Sequence, residues 1–327
     1  MQYRKLGTSD LNVSVIGLGT NNFGNPQRIS DPAESAKVIN QCLDSGINFI
    51  DTADMYGGGQ SEVHIGKALK TRRDEAIIAT KFNLAKLEGE TIRQRIERKI
   101  DESLSALQTD HIDLYQLHFP ANGASQEDII EPLNDLVKAG KVRYIGECNY
   151  SSWRHAQADH VSEHHNHARM VSSQNYYNLF RRQVELELLP YCQEANVGFL
   201  PYFPLAGGWL TGKYSPDDTP AENARRMVGQ LQGNNSARET LDKLNAYATE
   251  KGHTILELAF SWLLAHPSVS SVIAGAMTSE QVIANSTAGD WTLNDEERDE
   301  VDAIASWEGS NEEIEGFGPG SSPARRR

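Results

Sequence analysis

The feature that most limits how this chain can fold is a repeated alternation of short apolar segments with longer polar, helix-compatible segments. Eight apolar or β-branched segments recur along the sequence, at 15–20, 47–52, 76–82, 112–118, 142–149, 170–175, 197–204 and 271–276. Between them lie helix start and stop signals, such as Asp31-Pro32 before a helix that ends ahead of Gly46. Because parallel neighbouring strands need a crossover connection, this alternation predicts βαβ units and a parallel sheet.

Two more helices are predicted by the same signals. One covers 92–107 after Thr91, and the other covers 126–138 and ends before Gly140. Eight strand–helix units favour a closed (β/α)8 TIM barrel over an open doubly wound sheet, which uses about five or six strands. The 327 residues permit one domain or two. Since no linker is visible, we expect a single barrel domain over 1–307 and a disordered tail over 308–327.

Two segments add to a bare barrel. Residues 3–6 and 11–14, around Gly7-Thr8-Ser9-Asp10, predict an N-terminal β-hairpin that caps the barrel floor. Residues 212–235 are rich in Gly, Pro, Asn and Asp and predict an extended loop at the C-terminal face. Long loops of this kind are usually functional or mobile.

Composition excludes several classes of partner. Lys and Arg number 31 against 45 Asp and Glu, a net charge of −14, so we expect no nucleic-acid or anionic-membrane partner. The longest apolar stretches are too short for a bilayer, and the N-terminus lacks a signal-peptide pattern. Three widely spaced cysteines indicate reduced thiols, hence a cytoplasmic protein, and they form no zinc motif. Oligomeric state stays open.

A crowd of histidines is interpreted as the solvated face of an outer helix, with no metal bound, because no carboxylate or cysteine set completes a site. These histidines are His155, His160, His164, His165 and His167.

Four ionisable side chains fall at or just beyond predicted strand ends, where a barrel carries its active site. They are Asp51, Tyr56, Lys81 and His118. Any one of these side chains, taken alone, could simply mark the point where its strand reaches solvent. Burying a lysine and an aspartate near each other is costly unless they pair, so the four together indicate a common site. An ammonium near a tyrosine favours the phenolate and lowers its pKa, and an imidazole can donate to a carbonyl oxygen. Together the four could polarise a C=O group and protonate it as a hydride arrives.

Four motifs make the chain resemble the aldo-keto reductase family. The first is Gly46-Ile47-Asn48-Phe49-Ile50-Asp51-Thr52-Ala53-Asp54-Met55-Tyr56-Gly57, followed by Ser61-Glu62 and Gly66. The other three are Thr80-Lys81, Asp113-Leu114-Tyr115-Gln116-Leu117-His118 and Gly140-Lys141-Val142-Arg143-Tyr144-Ile145-Gly146. The similarity runs in order from Tyr3 to about Asn285. It implies reduction of small aldehydes or ketones to alcohols by hydride from NAD(P)H. It also implies Tyr56 as general acid, tuned by Lys81 with Asp51, and His118 orienting the carbonyl.

No Rossmann fingerprint is present, because Gly17-Leu18-Gly19-Thr20-Asn21 has the wrong spacing. The resemblance implies instead an extended dinucleotide across the barrel top. Its carboxamide would bind Asn149 and Gln174, and its nicotinamide ring would stack on Tyr202. The other cofactor residues implied are Gly19, Thr20, Asn21, Asp51, Cys148, Phe203, Pro204, Leu205, Gly207, Lys213, Arg225, Gly275, Met277, Gln281 and Asn285.

The chain departs from the family pattern at several of these positions. Cys148 and Phe203 stand where serine is common, and Met277 and Gln281 stand where some members place basic residues against the 2′-phosphate. Arginine is the natural partner of a phosphate. We expect NADP (NADPH), with NAD as the open alternative and with Arg225 or Arg226 as a substitute cation.

The substrate end is expected to be apolar. With Tyr56 and His118, the aromatic residues Phe23, Phe82, Phe119 and Trp209 are predicted to line the mouth, which indicates a hydrophobic or aromatic carbonyl. An alternative reading is a redox-sensing or regulatory barrel that keeps the cofactor, as the barrel subunits of ion channels do by resemblance. A catalytically dead scaffold is disfavoured, since all four ionisable residues are present.

Overall fold

The protein is described by a computed structural model that covers residues 1–85, 87, 89–121, 123–214 and 226–306. The strands are β1 Tyr3–Lys5, β2 Asn12–Ser14, β3 Ile16–Gly19, β4 Phe49–Asp51, β5 Ile77–Phe82, β6 Ile112–Leu117, β7 Val142–Cys148, β8 Met170–Tyr176, β9 Gly198–Tyr202 and β10 Val272–Gly275. The helices are α1 Pro32–Asp44, α2 Gln60–Ala68, α3 Ile92–Leu107, α4 Gln126–Lys138, α5 Ser152–His165, α6 Leu188–Glu194, α7 Arg226–Gln232, α8 Asn235–Glu250, α9 Ile255–Leu264, α10 Ser279–Ala288 and α11 Asp295–Ile304.

Eight strands close into a barrel in the order β10-β3-β4-β5-β6-β7-β8-β9. Every neighbouring pair is parallel, so all the strand C-termini meet at one rim. The register brings Asp51 opposite Gly19, and Cys148 opposite Gln174, at that rim. The predicted TIM barrel is confirmed.

The N-terminal hairpin seals the opposite end of the barrel. Strands β1 and β2 pair antiparallel, which confirms the predicted hairpin. Leu6, Leu11 and Val13 are 0–2% exposed and pack on barrel-interior side chains such as Phe49 and Leu200. Each buried aliphatic side chain of this kind stabilises the fold by about 1.5–3 kcal/mol.

Helix ends follow the caps that the sequence indicates. The Asp31 carboxylate accepts a hydrogen bond from the Ala33 amide at the start of α1. Thr91 and Ser125 form capping boxes at the starts of α3 and α4. Gly140, with φ of 73°, follows the end of α4 in the left-handed region that glycine adopts without strain. The three predicted helices are therefore confirmed.

Two expectations need correction. The second part of the expected loop at 212–235 is helical, because α7 begins at Arg226 and α8 begins at Asn235. Residues 215–225 and the expected tail at 308–327 lie outside the described residues. His155 is fully buried instead of solvated, because its side chain points inward and pairs with the buried Glu147 of β7. In the described part of the chain, no helix has the length and apolar character needed to cross a membrane.

Candidate active site

The rim of the barrel brings the four predicted catalytic side chains together. Asp51 is the last residue of β4, Lys81 lies at the end of β5, and His118 follows β6 directly. Tyr56 begins a short 3₁₀ segment, Tyr56–Gly59, just beyond β4. Asp51, Lys81 and His118 are buried, whereas Tyr56 is partly exposed. Parallel strands and one short turn therefore gather groups that lie far apart in the sequence.

Contacts among these side chains centre on the ammonium of Lys81. Its Nζ lies 2.6 Å from Asp51 Oδ2 and donates to the Thr52 carbonyl oxygen at 2.8 Å. The same Nζ lies 5.1 Å from the centroid of the Tyr56 ring. The rings of Tyr56 and His118 meet edge to face, with centroids 5.7 Å apart. A buried cation thus sits beside a phenol and an imidazole.

The pKa of Tyr56 departs from the sequence-based expectation. Burial raises this pKa to about 12, and the opposing effect of the Lys81 ammonium is too small to reverse that rise. The expected lowering below the ordinary tyrosine value is therefore wrong, because desolvation of the phenolate outweighs the nearby charge. Tyr56 stays protonated at neutral pH and can act as a proton donor.

The surroundings keep Lys81 positively charged and His118 neutral. Burial alone lowers the pKa of Lys81, but the Asp51 carboxylate and then Tyr56 reverse this effect, so the net pKa is raised and the ammonium persists. Burial, with a further contribution from Lys81, lowers the pKa of His118 well below its usual range. His118 is therefore a neutral imidazole, which can donate one hydrogen bond and accept another.

Two amide side chains lie next to this group. Gln174 Nε2 donates to Asp51 Oδ1 at 2.8 Å, and Gln174 Oε1 lies 3.4 Å from the thiol sulfur of Cys148. Asn149 Nδ2 donates to the His118 carbonyl oxygen at 3.0 Å, and Asn149 Oδ1 accepts from the Tyr202 hydroxyl at 2.8 Å. An amide offers two N–H donors and an oxygen with two lone pairs. These contacts leave both amides with capacity to bind a ligand.

A cavity of 670 Å³ lies at this rim. The predicted cofactor residues that the structure describes all line it, together with Tyr56, His118 and Phe119. Arg225 lies outside the described residues. The cavity has the size of a small-molecule site, and one wall carries the Tyr56 side chain.

Comparison with known proteins decides the family. The sequence model described as "Aldo/keto reductase family" matches residues 15–306. The chain belongs to the aldo/keto reductase family. This family assignment makes it an oxidoreductase.

Several relatives of this family member align with it over most of its length. "Aldo-keto reductase YhdN" of Bacillus subtilis (strain 168) is 34% identical over 317 residues, 93% of each chain. "Versiconal hemiacetal acetate reductase" of Aspergillus parasiticus is 30% identical, covering 86% of this chain and 90% of that protein. "Probable voltage-gated potassium channel subunit beta" of Oryza sativa subsp. japonica is 31% identical, covering 93% of this chain and 96% of that protein.

The cavity of this aldo/keto reductase fits a nicotinamide dinucleotide, the cofactor class of the family. Gly208 has a φ of 116°, and a Cβ added there would come no closer than 3.7 Å to Tyr214, so the backbone is open to close approach. Asp51 is the one acidic residue in the described lining, and it is paired with Lys81. Arg28 and Lys213 line the same cavity. This charge balance suits an anionic pyrophosphate.

The wall formed by Met277 and Gln281, where the family resemblance would place the adenosine end of the cofactor, carries no charge. Gln281 Oε1 accepts a hydrogen bond from the Met277 amide at 2.8 Å, so this side chain folds back onto its own loop. Residues 275–289 contain no Lys, Arg or His. A 2′-phosphate would find no cation in this segment.

Three aromatic residues expected at the substrate mouth lie elsewhere. Phe23, Phe82 and Trp209 are 0% exposed and are absent from the described cavity wall. The Phe82 ring stacks on Tyr115, with centroids 4.6 Å apart, because its side chain faces the helix layer. We therefore assign Phe23 and Phe82 to the core and not to the substrate.

Other lining residues were missed by sequence reasoning. They are Asn22, Arg28, Met55, Gly57, Tyr214, Leu256, Ile273, Ala274 and Ala284. The position of Met55 directly before Tyr56 could have indicated that this apolar residue lines the site. In the structure it is 47% exposed. Arg28 carried none, because it lies in an irregular loop between β3 and α1.

Proposed function

We propose that this protein reduces aldehyde or ketone carbonyls to alcohols with NAD(P)H, and that Tyr56 is the general acid. The observation that carries the proposal is the convergence of Tyr56, Lys81 and His118 beside one cavity. A general acid must reach the reacting oxygen and hold its proton at the working pH. Tyr56 meets the second condition because its pKa is raised to about 12.

Each side chain has a distinct part in the proposed reaction. When bound, the reduced nicotinamide supplies a hydride to the carbonyl carbon. The Tyr56 hydroxyl donates its proton to the carbonyl oxygen, and neutral His118 donates a hydrogen bond to the same oxygen. The Lys81 ammonium stabilises the phenolate that remains on Tyr56, and Asp51 holds that ammonium in place.

On the cofactor side, Asn149 and Gln174 would hold the carboxamide with their remaining donors and acceptors. Tyr202 would stack on the nicotinamide ring, and the Tyr176 ring supports it from 5.5 Å at an angle of 15°. Lys213 would face the pyrophosphate. We propose NADPH as the cofactor and keep NADH as the alternative, because residues 275–289 lack a cation.

The substrate proposed is a small hydrophobic carbonyl compound. Met55 and Phe119 line the cavity close to Tyr56 and His118. Phe119 stacks on the His118 ring, with centroids 4.3 Å apart and an angle of 8° between planes. An apolar surface beside the imidazole favours a substrate whose carbonyl carries an alkyl or aryl group.

A regulatory, cofactor-binding barrel is the second candidate. It is favoured by the similarity to the rice channel subunit beta, which extends over 96% of that protein. A panel of aldehydes and ketones, assayed with NADPH and with NADH, separates the two. Multiple turnover that Tyr56→Phe abolishes supports the reductase. Tight dinucleotide binding with no more than a single turnover on every carbonyl contradicts it and favours the regulatory barrel.

A further inference from the structure

A glutamate lies inside the barrel wall, outside the group of residues described so far. Glu147 belongs to β7 and is 0% exposed. A buried carboxylate is costly unless it is paired and hydrogen-bonded. Glu147 Oε1 lies 2.9 Å from Nδ1 of His155, which is also 0% exposed, and Oε2 accepts from the Tyr150 amide at 3.0 Å. Both carboxylate oxygens are thus occupied.

The two partners of Glu147 flank the turn that carries Asn149. Tyr150 follows Asn149 directly, and His155 lies in the first turns of α5. Asn149 has a φ of 65°, in the left-handed region that a non-glycine residue occupies only at an energetic cost. Such a conformation persists only where the surroundings hold it. The Glu147 carboxylate ties the strand end, the turn and the helix together at this point.

What this turn orients is the Asn149 amide. Asn149 bonds on one side to the His118 carbonyl and on the other to the Tyr202 hydroxyl. A rotation of the 149–150 peptide would move the amide relative to both. The geometry of the turn therefore reaches the group that would hold the carboxamide and the ring that would stack on the nicotinamide.

Stability alone does not account for this pair. His155 Nε2 is buried and has no hydrogen-bond partner among the described residues. A buried pair of polar side chains commonly contributes no more stability than apolar side chains of similar volume. The unpaired ring nitrogen of His155 lowers the stability further, since on folding it loses its hydrogen bond to water and gains none in return.

We propose that Glu147 and His155 form a buried positioning pair that fixes the Asn149 turn for nicotinamide binding. The inference rests on the proposed function, because it concerns the same dinucleotide. Neither residue touches the cavity, so both act through Asn149.

The decisive variant is the double substitution Glu147→Leu with His155→Phe in the full-length protein. It removes both members of the pair, so no buried charge is left unpaired and the fold is expected to keep its thermal midpoint. Dissociation constants for NADPH and for NADH are measured by quenching of tryptophan fluorescence, which needs no turnover. We expect each constant to rise about tenfold, the effect of one misplaced hydrogen bond of about 1.4 kcal/mol.

Two further variants separate positioning from packing. In Glu147→Gln the amide oxygen can accept from the Tyr150 N–H, and the amide nitrogen can donate to His155, so we expect binding within about twofold of the parent. The matched control is Asp159→Asn. Asp159 is a buried acid on the same helix, but it bonds to Tyr191 and Arg169, and we expect parental binding.

The outcomes distinguish this inference from the proposed function. If the parent binds a dinucleotide and the double variant binds it equally well, the positioning role is overturned while the reductase proposal stands. Weakened binding in Asp159→Asn equal to that of the double variant also overturns it, since any loss in this layer would then suffice. A parent that binds neither dinucleotide overturns both proposals.

Discussion

Replacing Lys81 with methionine removes a buried cation while nearly keeping the side-chain volume. The Lys81 side chain is 0% exposed and its Asp51 partner is 4% exposed, so the substitution strands a carboxylate inside the barrel rim. Asp51 would keep only the Gln174 donor, at 2.8 Å, of the two contacts described above. Breaking one side of a buried pair typically costs about 3–5 kcal/mol, and we expect Lys81→Met to lower the free energy of unfolding by that amount.

The chain offers a matched control for this substitution. Lys141 Nζ lies 2.6 Å from Asp101, the same distance as in the buried pair, but those side chains are 41% and 62% exposed. Water screens the exposed pair, so Lys141→Met should cost only about 0–1 kcal/mol. The double variant Lys81→Met with Asp51→Asn should recover much of the loss, because it leaves no buried charge.

Urea unfolding followed by fluorescence of the five tryptophans measures these differences. The slope of the transition must stay constant for midpoints to be compared as stabilities. If Lys81→Met is no more destabilising than Lys141→Met, burial does not set the strength of the Lys81–Asp51 pair. The same result would remove the physical basis for a persistent ammonium beside Tyr56.

Three further predictions concern the reaction. Tyr56→Phe should lower kcat by about 10²–10⁴-fold while dinucleotide dissociation constants stay near parental values, and parental turnover in this variant would remove Tyr56 from the mechanism. A raised tyrosine pKa keeps the acid protonated until the pH rises through about 12, and the pKa of neutral His118 lies well below its usual range. The reductive kcat should therefore be level from about pH 6 to 9, and a loss by about pH 8 would contradict burial as the dominant effect. The preference between NADPH and NADH, measured as the ratio of their dissociation constants, should be less one-sided in the parent than in relatives with basic residues at the adenosine end, because Met277 and Gln281 are neutral. Loss of NADPH affinity alone in Arg225→Ala or Arg226→Ala would place that arginine on the 2′-phosphate, whereas a strong preference for NADPH that survives both changes would refute our assignment of the adenosine end.

Local signals account for much of what could be predicted. The helix signals at Asp31, Thr91 and Gly140 are local in the sequence, which explains why α1, α3 and α4 were placed correctly. Alternation of strand and helix likewise predicts parallel pairing without knowledge of the tertiary structure. Residues at strand ends could be gathered into one site because a parallel barrel brings all those ends to one rim.

Properties that depend on packing were not accessible in this way. Whether Phe82 faces the cavity or the helix layer depends on the pleat and register of β5, and a one-residue shift reverses the answer. The desolvation of the Tyr56 hydroxyl and the burial of His155 arise from segments distant in the sequence. The direction of the Tyr56 pKa shift followed from that burial and not from the charge of its neighbour.

The hairpin that closes the barrel floor also determines which end of the barrel is suitable for attaching the protein to another molecule or to a surface. Strands β1 and β2 cover the end opposite the cavity, so the first residues of the chain and the cavity lie at opposite ends of the barrel. A fusion partner or a surface linkage joined ahead of Tyr3 would therefore leave the cavity mouth facing outward. The hairpin must stay intact in such designs, because Leu6 and Val13 are fully buried and pack against the side chains of the barrel interior.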